Sequence, residues 1–254
     1  DLEFLLGYAN FFPRRDRTLR MGFRLNTAGA ACLAALLMFS VSTPVAADSH
    51  EQENEKKAVL VTGASSGIGR RITELLASKG YFVYAGARSQ QDLDALEALE
   101  NVEAVRLDAT VQSEIDAAVE TVRKGGRGLH GLVNNAGVAT LGPLIETDIG
   151  ELQGLFDVNV YGVYRVTQAF APMIIDAKGR IVNNSSSSGV LEWPMGGLYT
   201  MSKHAVEAYS DTLALELDRF GVKVSAIEPG NFKSDISMSA RARMANSAVQ
   251  RPDT

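Results

Sequence analysis

From Ala58 onward, short apolar runs alternate with longer amphipathic stretches. The run KAVLVTG is β-branched and stops at Gly63, and GRRITELLASKG follows with Ile72, Leu75 and Leu76 at helical spacing. The alternation continues through strand YFVYAGA, helix DLDALEALE, strand VEAVRLD, helix SEIDAAVETVRK and strand GLVNNAG. A long helix is predicted over roughly Ile149 to Ala177, then strand RIVNNS, helix LYTMSKHAVEAYSDTLALELDRF and strand VKVSAIEPG. Short β-branched strands alternating with amphipathic helices build right-handed βαβ units on a parallel sheet. The expected fold is therefore α/β: a doubly wound parallel sheet with helices on both faces, in three layers.

Before Ala58 the pattern is different. Residues 1–24 hold Arg14, Arg15, Arg17, Arg20 and Arg24 against Asp1, Glu3 and Asp16. Residues 25–47 carry no charge, their centre is AGAACLAALLMFSVS, and Val45 and Ala47 form a small-x-small site before Asp48. A positive start, an apolar centre and such a site predict a secretory signal peptide over 21–47, beginning at Met21. The alternative is an uncleaved signal anchor, because the uncharged run reaches spanning length. The first reading exports the protein to the periplasm or beyond; the second attaches it to a membrane through 25–47, facing the cytoplasm. Residues 1–20 are left as a leader without an assigned role, and 48–57 (DSHEQENEKK) as a charged, solvated linker. The domain is expected over 58–254.

Composition narrows the function classes. Across 254 residues, 46% are hydrophobic and the formal net charge is -5. That apolar share supports a packed core, and the mild acidity argues against a nucleic-acid footprint. The one cysteine, Cys32, lies in the apolar leader run and excludes a disulfide framework. The histidines, His50, His130 and His204, have no companions at metal-ligand spacing, so no metal is expected.

The first strand runs into Thr62-Gly63-Ala64-Ser65-Ser66-Gly67-Ile68-Gly69 and then a helix. Glycines here let the backbone turn sharply and approach a pyrophosphate, while the helix start offers free N–H groups and a positive dipole end. The second strand ends AGARS, with Ala87 where an acid would bind a ribose 2′-hydroxyl and Arg88 next to it. Arginine accommodates a 2′-phosphate, so NADP(H) is expected rather than NAD(H).

The spacing T-G-x-x-x-G-x-G, with Asn134-Asn135-Ala136-Gly137 after the fourth strand and Tyr199-x-x-x-Lys203 on a later helix, resembles the short-chain dehydrogenase/reductase family. The resemblance runs from Ala58 to about Ile236. It implies a Rossmann-type sheet and hydride transfer between a nicotinamide cofactor and a carbonyl/alcohol pair. It places Gly63, Ser65, Ser66, Gly67, Ile68 and Gly69 at the pyrophosphate and Asp108, with Ala109 beside it, at the adenine. Asn135, with Ala136 and Gly137, falls at the adenosine ribose. The loop Pro229, Gly230, Phe232 and Ser234 falls at the nicotinamide amide, with serine standing where the family usually has threonine. Tyr199 and Lys203 complete the cofactor contacts.

Tyr199 and Lys203, four apart, share one helix face. A free tyrosine titrates at about 10, and a neighbouring ammonium is expected to lower that value towards neutrality. The resemblance selects Ser186, thirteen residues before Tyr199, as the substrate-orienting serine, although Ser185 and Ser187 are adjacent. It also selects Asn159, in FDVNVYG, as a residue that kinks the long helix and holds a proton-relay water. Trp193, Pro194 and Met195 either line the substrate mouth or pack the loop.

The expected function is NADP(H)-dependent interconversion of a carbonyl and an alcohol, with Tyr199 as general acid/base and Ser186, Lys203 and Asn159 around it. The stretches SKHAVEAYSDTLALEL and EPGNF are similar to members that act on steroid, retinol or other lipid-like alcohols, which makes the partner a small, lipid-like molecule. A full-length member would be a homo-oligomer. The alternative is a truncated, non-catalytic nucleotide-binding or regulatory protein. Ala58 to Thr254 provides 197 residues, against about 250 for a single α/β core of this kind. The polar tail SMSARARMANSAVQRPDT offers no seventh strand, so the last strand and the substrate lid are expected to be absent.

Overall fold

The β-branched run at Ala58–Val61 (β1) is buried along its whole length, as a strand covered on both faces must be. A computed structural model of the chain describes residues 56–230. After β1 come α1 (Gly67–Ser78), β2 (Phe82–Ala87), α2 (Gln90–Glu97), β3 (Val102–Arg106), α3 (Gln112–Lys124) and β4 (Gly131–Asn134). The second half comprises α4 (Ile149–Phe156), α5 (Gly162–Asp176), β5 (Arg180–Asn184), α6 (Gly197–Asp218) and β6 (Lys223–Ile227). The six strands lie in the order β3-β2-β1-β4-β5-β6, and every pair is parallel.

Side chains of β1 alternate between two cores, as a period of two dictates. Ala58 and Leu60 join Tyr84, Ile115, Leu132, Phe170 and Ile174, the last four drawn from β4 and the inner faces of α3 and α5. Val59 and Val61 join Val83, Leu93 and Leu96, against α1 and α2. Each fully buried large apolar side chain contributes roughly 1.5–3 kcal/mol, so the two cores hold the sheet rigid beneath the loops. The strand order reverses direction between β1 and β4, which opens a crevice at their carboxyl ends.

The predicted long helix is interrupted. Asp157–Tyr161 forms a π turn between α4 and α5, with the buried Asn159 at its centre. Helical spacing alone cannot reveal this, because the apolar stripe continues through it. The expected leader, signal peptide or anchor, the expected absence of a last strand and lid, and the candidates Phe232 and Ser234 all lie outside the described residues. Among the described residues no helix is long and apolar enough to cross a membrane.

Candidate active site

Two left-handed glycines shape the turn after β1: Gly63 at φ +62° and Gly67 at φ +53°. At Gly69, a Cβ would lie 2.1 Å from the Gly63 carbonyl oxygen and 2.4 Å from Asn135 Nδ2. Only glycine therefore lets α1 start so close to the turn. Ser66 makes no side-chain cap and the first turn of α1 holds no acid, so its positive end is uncompensated. Ser65 and Ile68 are half-buried beside it. This cradle fits a dinucleotide pyrophosphate, through the main-chain N–H groups of 67–69.

Thr62 braces the turn, its hydroxyl accepting from the N–H groups of Asn135 and Ala136 at 3.0 Å each. The amide of Asn135, expected at the ribose, is committed elsewhere. Its nitrogen donates to the carbonyls of Thr62 and Gly63, and its oxygen accepts from Asn184 Nδ2 at 2.8 Å. The side chain thus ties the β1, β4 and β5 turns together, and any ribose contact from this residue falls to its main chain.

At the far end of the crevice, Arg88 Nη1 lies 3.7 Å from Asp108 Oδ2 and its side chain is largely exposed. Arg106, paired in register with Ala87, donates to the Arg88 carbonyl and to Gln90. Burial raises the Asp108 carboxyl, but hydrogen bonds from the Thr110 N–H and hydroxyl, with the Arg88 charge, leave it below its ordinary value. Ala109, next to it, is buried against Gly162 of α5.

At the Tyr199 end of the crevice Asn159 and Lys203 are buried, and Tyr199 and Ser186 half-buried. Asn159 Oδ1 accepts from Val138 N–H at 2.8 Å, and its Nδ2 donates to the Val138 carbonyl and Ser202 Oγ. A Cβ on Gly137 would meet Asn159 Oδ1 at 3.4 Å and Lys203 Nζ at 3.7 Å, so both face this glycine. Lys203 Nζ donates to the Asn184 carbonyl at 2.7 Å and lies 5.6 Å from the Tyr199 ring centroid. Ser186 caps the short turn Ser187–Gly189 by accepting from Ser188 N–H, and lies close enough to Tyr199 to act against the raising of its hydroxyl. Among the neighbouring serines, Ser185 Oγ is buried without a partner and Ser188 Oγ accepts from Trp193. Ser187 N–H donates to the Pro229 carbonyl, bringing the loop that continues through Gly230 against this turn.

The expected lowering of Tyr199 by Lys203 is not what this site shows. Burial pushes the Tyr199 hydroxyl up, and the nearby Ser186 only partly offsets it. Burial also lowers Lys203 to about 8, with the charge of Glu207 one turn along acting to raise it. Both groups lose water on entering the protein, and desolvation outweighs a charge that is directed at Asn184.

Sequence reasoning named Thr62 in the glycine motif without its bracing role, and missed Asn184, Ser202, Glu207 and Arg106. It also missed a buried polar row in which Asn134 Nδ2 donates to Thr167 and Asn183, and Asn183 Nδ2 donates to Ser210. Polar residues in otherwise apolar strand ends, NNAG and IVNNS, were the available signal. His204 holds the Thr200 carbonyl and lies 3.4 Å from Glu192, a structural role. Trp193 both packs and stays partly exposed, bonded to Ser188 and set against Gly196. Among the described residues no group of three His, Cys, Asp or Glu side chains could hold a metal.

Residues 57–245 match the sequence profile of the short chain dehydrogenase family. The chain is 39% identical over 199 residues to the mitochondrial D-beta-hydroxybutyrate dehydrogenase of Rattus norvegicus, covering 74% of this chain and 58% of that protein. It is 40% identical over 186 residues to an NADPH-dependent 3-dehydrocapnine reductase of Ornithobacterium rhinotracheale, covering 70% and 66%. A crystal structure of a short-chain dehydrogenase from Streptomyces avermitilis superposes with a TM-score of 0.67 at 39% identity, covering 71% of this chain and 68% of that one. The chain spans a little under three fifths of the rat relative's length. With the glycine turn, the parallel sheet and a profile match over most of its length, the chain belongs to the short-chain dehydrogenase family.

Proposed function

We propose that the protein is an NADP(H)-dependent oxidoreductase that interconverts a carbonyl and an alcohol. The observation that carries this reading is the constellation beside Gly137: Lys203 Nζ donates to the Asn184 carbonyl, lies 5.6 Å from the Tyr199 ring centroid, and faces this glycine together with Asn159. The main-chain N–H groups of 67–69 would hold the nucleotide, which when bound would supply the hydride, NADPH becoming NADP+ as the carbonyl is reduced. A new C–H bond forms at the carbonyl carbon, and the electron pair of the C=O bond moves to oxygen, which takes the Tyr199 proton. Ser186 donates to that oxygen and orients it. Lys203, still mostly protonated at neutral pH and anchored on the Asn184 carbonyl, would hold the nicotinamide ribose on the helix face it shares with Tyr199. Asn159 stands at the centre of the π turn with its amide bonded to Val138 and Ser202, and its main chain is the place we assign to a relay water.

The preference for NADP(H) is supported by Ala87 where an acid would select NAD(H), and by the guanidinium groups of Arg88 and Arg106 at that strand end. One relative is NADPH-dependent by name.

The test is oxidation of NADPH and of NADH over a panel of aldehydes and ketones, with Tyr199→Phe as the control. We expect NADPH to be preferred and the Phe variant to lose about 10²–10⁴-fold in kcat while still binding nucleotide. Full activity in Tyr199→Phe would sink the mechanism.

A further inference from the structure

The loops bordering Ser186 and Tyr199 form an apolar rim without a cation. Loop 138–148 places Leu144 against Gly197, where a Cβ would meet its side chain at 2.6 Å, two residues before Tyr199. Loop 190–196 places Trp193 against Gly196, and the indole N–H donates to Ser188 in the serine turn at 3.1 Å. The loops are joined by Gly142 N–H donating to the Met195 carbonyl at 2.8 Å. Met195 takes the left-handed conformation at φ +69°, unusual for a side chain of its size. Five large apolar side chains nevertheless face solvent: Leu144 (59% exposed), Ile145 (95%), Leu191 (61%), Trp193 (42%) and Met195 (39%). A cluster of this kind at the mouth of a reacting site is the mark of an apolar ligand.

Charge decides what kind of apolar ligand. Loop 138–148 and residues 187–198 contain Glu146, Asp148 and Glu192 and no lysine or arginine. The nearby Lys203 ammonium is directed at the Asn184 carbonyl, and His204 lies beside Glu192. A substrate carboxylate would find no lysine or arginine on these loops to pair with, so its loss of water would go uncompensated.

We propose that the substrate is an uncharged, largely apolar secondary alcohol or its ketone, and that small hydroxy acids are excluded by the rim. This rests on the carbonyl/alcohol reaction proposed above. Trp193 is the sole tryptophan of the chain and serves as the reporter. The experiment titrates the full chain, with NADP+ present and Tyr199→Phe blocking turnover, with methyl ketones of increasing length and with oxo acids of matching length. Trp193 fluorescence is read alongside kcat/KM of the unsubstituted protein for the same compounds.

We expect affinity and kcat/KM to rise with ketone length, and each neutral ketone to be favoured at least tenfold over its oxo acid. Glu192→Lys should narrow that ratio severalfold, and Leu191→Ser should flatten the length dependence. Selective binding without turnover would leave the substrate class standing and overturn the reaction. Equal or tighter binding of the oxo acids, or no ketone binding, would overturn the substrate class. So would a fluorescence change that follows protein concentration instead of ketone, which would assign the rim to a second copy of the chain.

Discussion

At the carboxyl end of β1 the chain turns on Gly63 and Gly67 and enters α1 without a side-chain cap, whereas at the ends of β4 and β5 it turns on asparagines and serines tied to one another. Of the fourteen buried polar or charged residues among those described, only Thr62 and Thr73 precede β4. One side of the crevice thus presents main-chain N–H groups shaped by missing side chains, and the other presents side chains set by long-range hydrogen bonds. Main-chain recognition tolerates no added atom. A side-chain network tolerates change of shape but not the loss of a partner, since each orphaned buried group costs about 1–3 kcal/mol.

The sharpest way to break this contrast is Gly69→Ala. Its methyl would lie 2.1 Å from a carbonyl oxygen that has no freedom to withdraw. We expect NADPH binding to fall by at least about 100-fold, and stability to drop by roughly 1–3 kcal/mol. Near-normal affinity in a fluorescence titration would mean that the turn does not hold the pyrophosphate.

Asn159→Ala probes the other side. It removes three hydrogen bonds and strands the N–H and carbonyl of Val138 in a part-buried position. Urea denaturation should show a loss of about 2–3 kcal/mol, and kcat should fall more steeply than nucleotide affinity. A variant that loses affinity and keeps kcat would reverse the assignment of the two sides.

Burial of Lys203 has a pH signature. Its folded value, about 8, lies below its ordinary value of 10.5, so between these two the native state binds fewer protons than the unfolded chain and stability rises with pH. The relief is complete above the ordinary value and is lost as pH falls through about 8. The raised tyrosines, Tyr84, Tyr199 and Tyr209, act oppositely once the unfolded chain ionises near 10. Between pH 8 and about 9.5 the unsubstituted protein should therefore gain on Lys203→Met, approaching about 1.4 kcal/mol per pH unit. A difference that stays flat over this window in urea titrations would show that Lys203 is not desolvated.

The smallest effect is expected at Arg88, largely exposed and only loosely paired with Asp108. Arg88→Ala should lower the NADPH-to-NADH ratio of kcat/KM by about tenfold, the lower end for a charge-assisted contact. An unchanged ratio would pass the phosphate contact to Arg106.

Much of the fold was legible because strands and helices declare themselves over a few neighbouring residues. KAVLVTG and its five counterparts all became strands of one parallel sheet. The glycine turn was legible too, since a sharp turn with close backbone approach is a property of glycine itself. Tyr199 and Lys203 were singled out by the family resemblance, and helix spacing put them on one face. Periodicity did not reveal the interruption at Asn159, which only the resemblance suggested, and the bonds of this side chain reach Val138 and Ser202, 21 and 43 residues away.

By itself, then, the sequence determined where strands and helices form, which end of the sheet carries the glycine turn, and that Tyr199 and Lys203 share one helix face. Each of these follows from periodicity or from conformational freedom within a short stretch of chain. Only the tertiary structure decided that the Asn135 amide braces three turns, and that the Lys203 ammonium is held by the Asn184 carbonyl. It also set the direction in which Tyr199 and Lys203 titrate. Hydrogen bonds across up to 74 residues and the removal of water from a charge depend on what packs around a group, which no local pattern encodes.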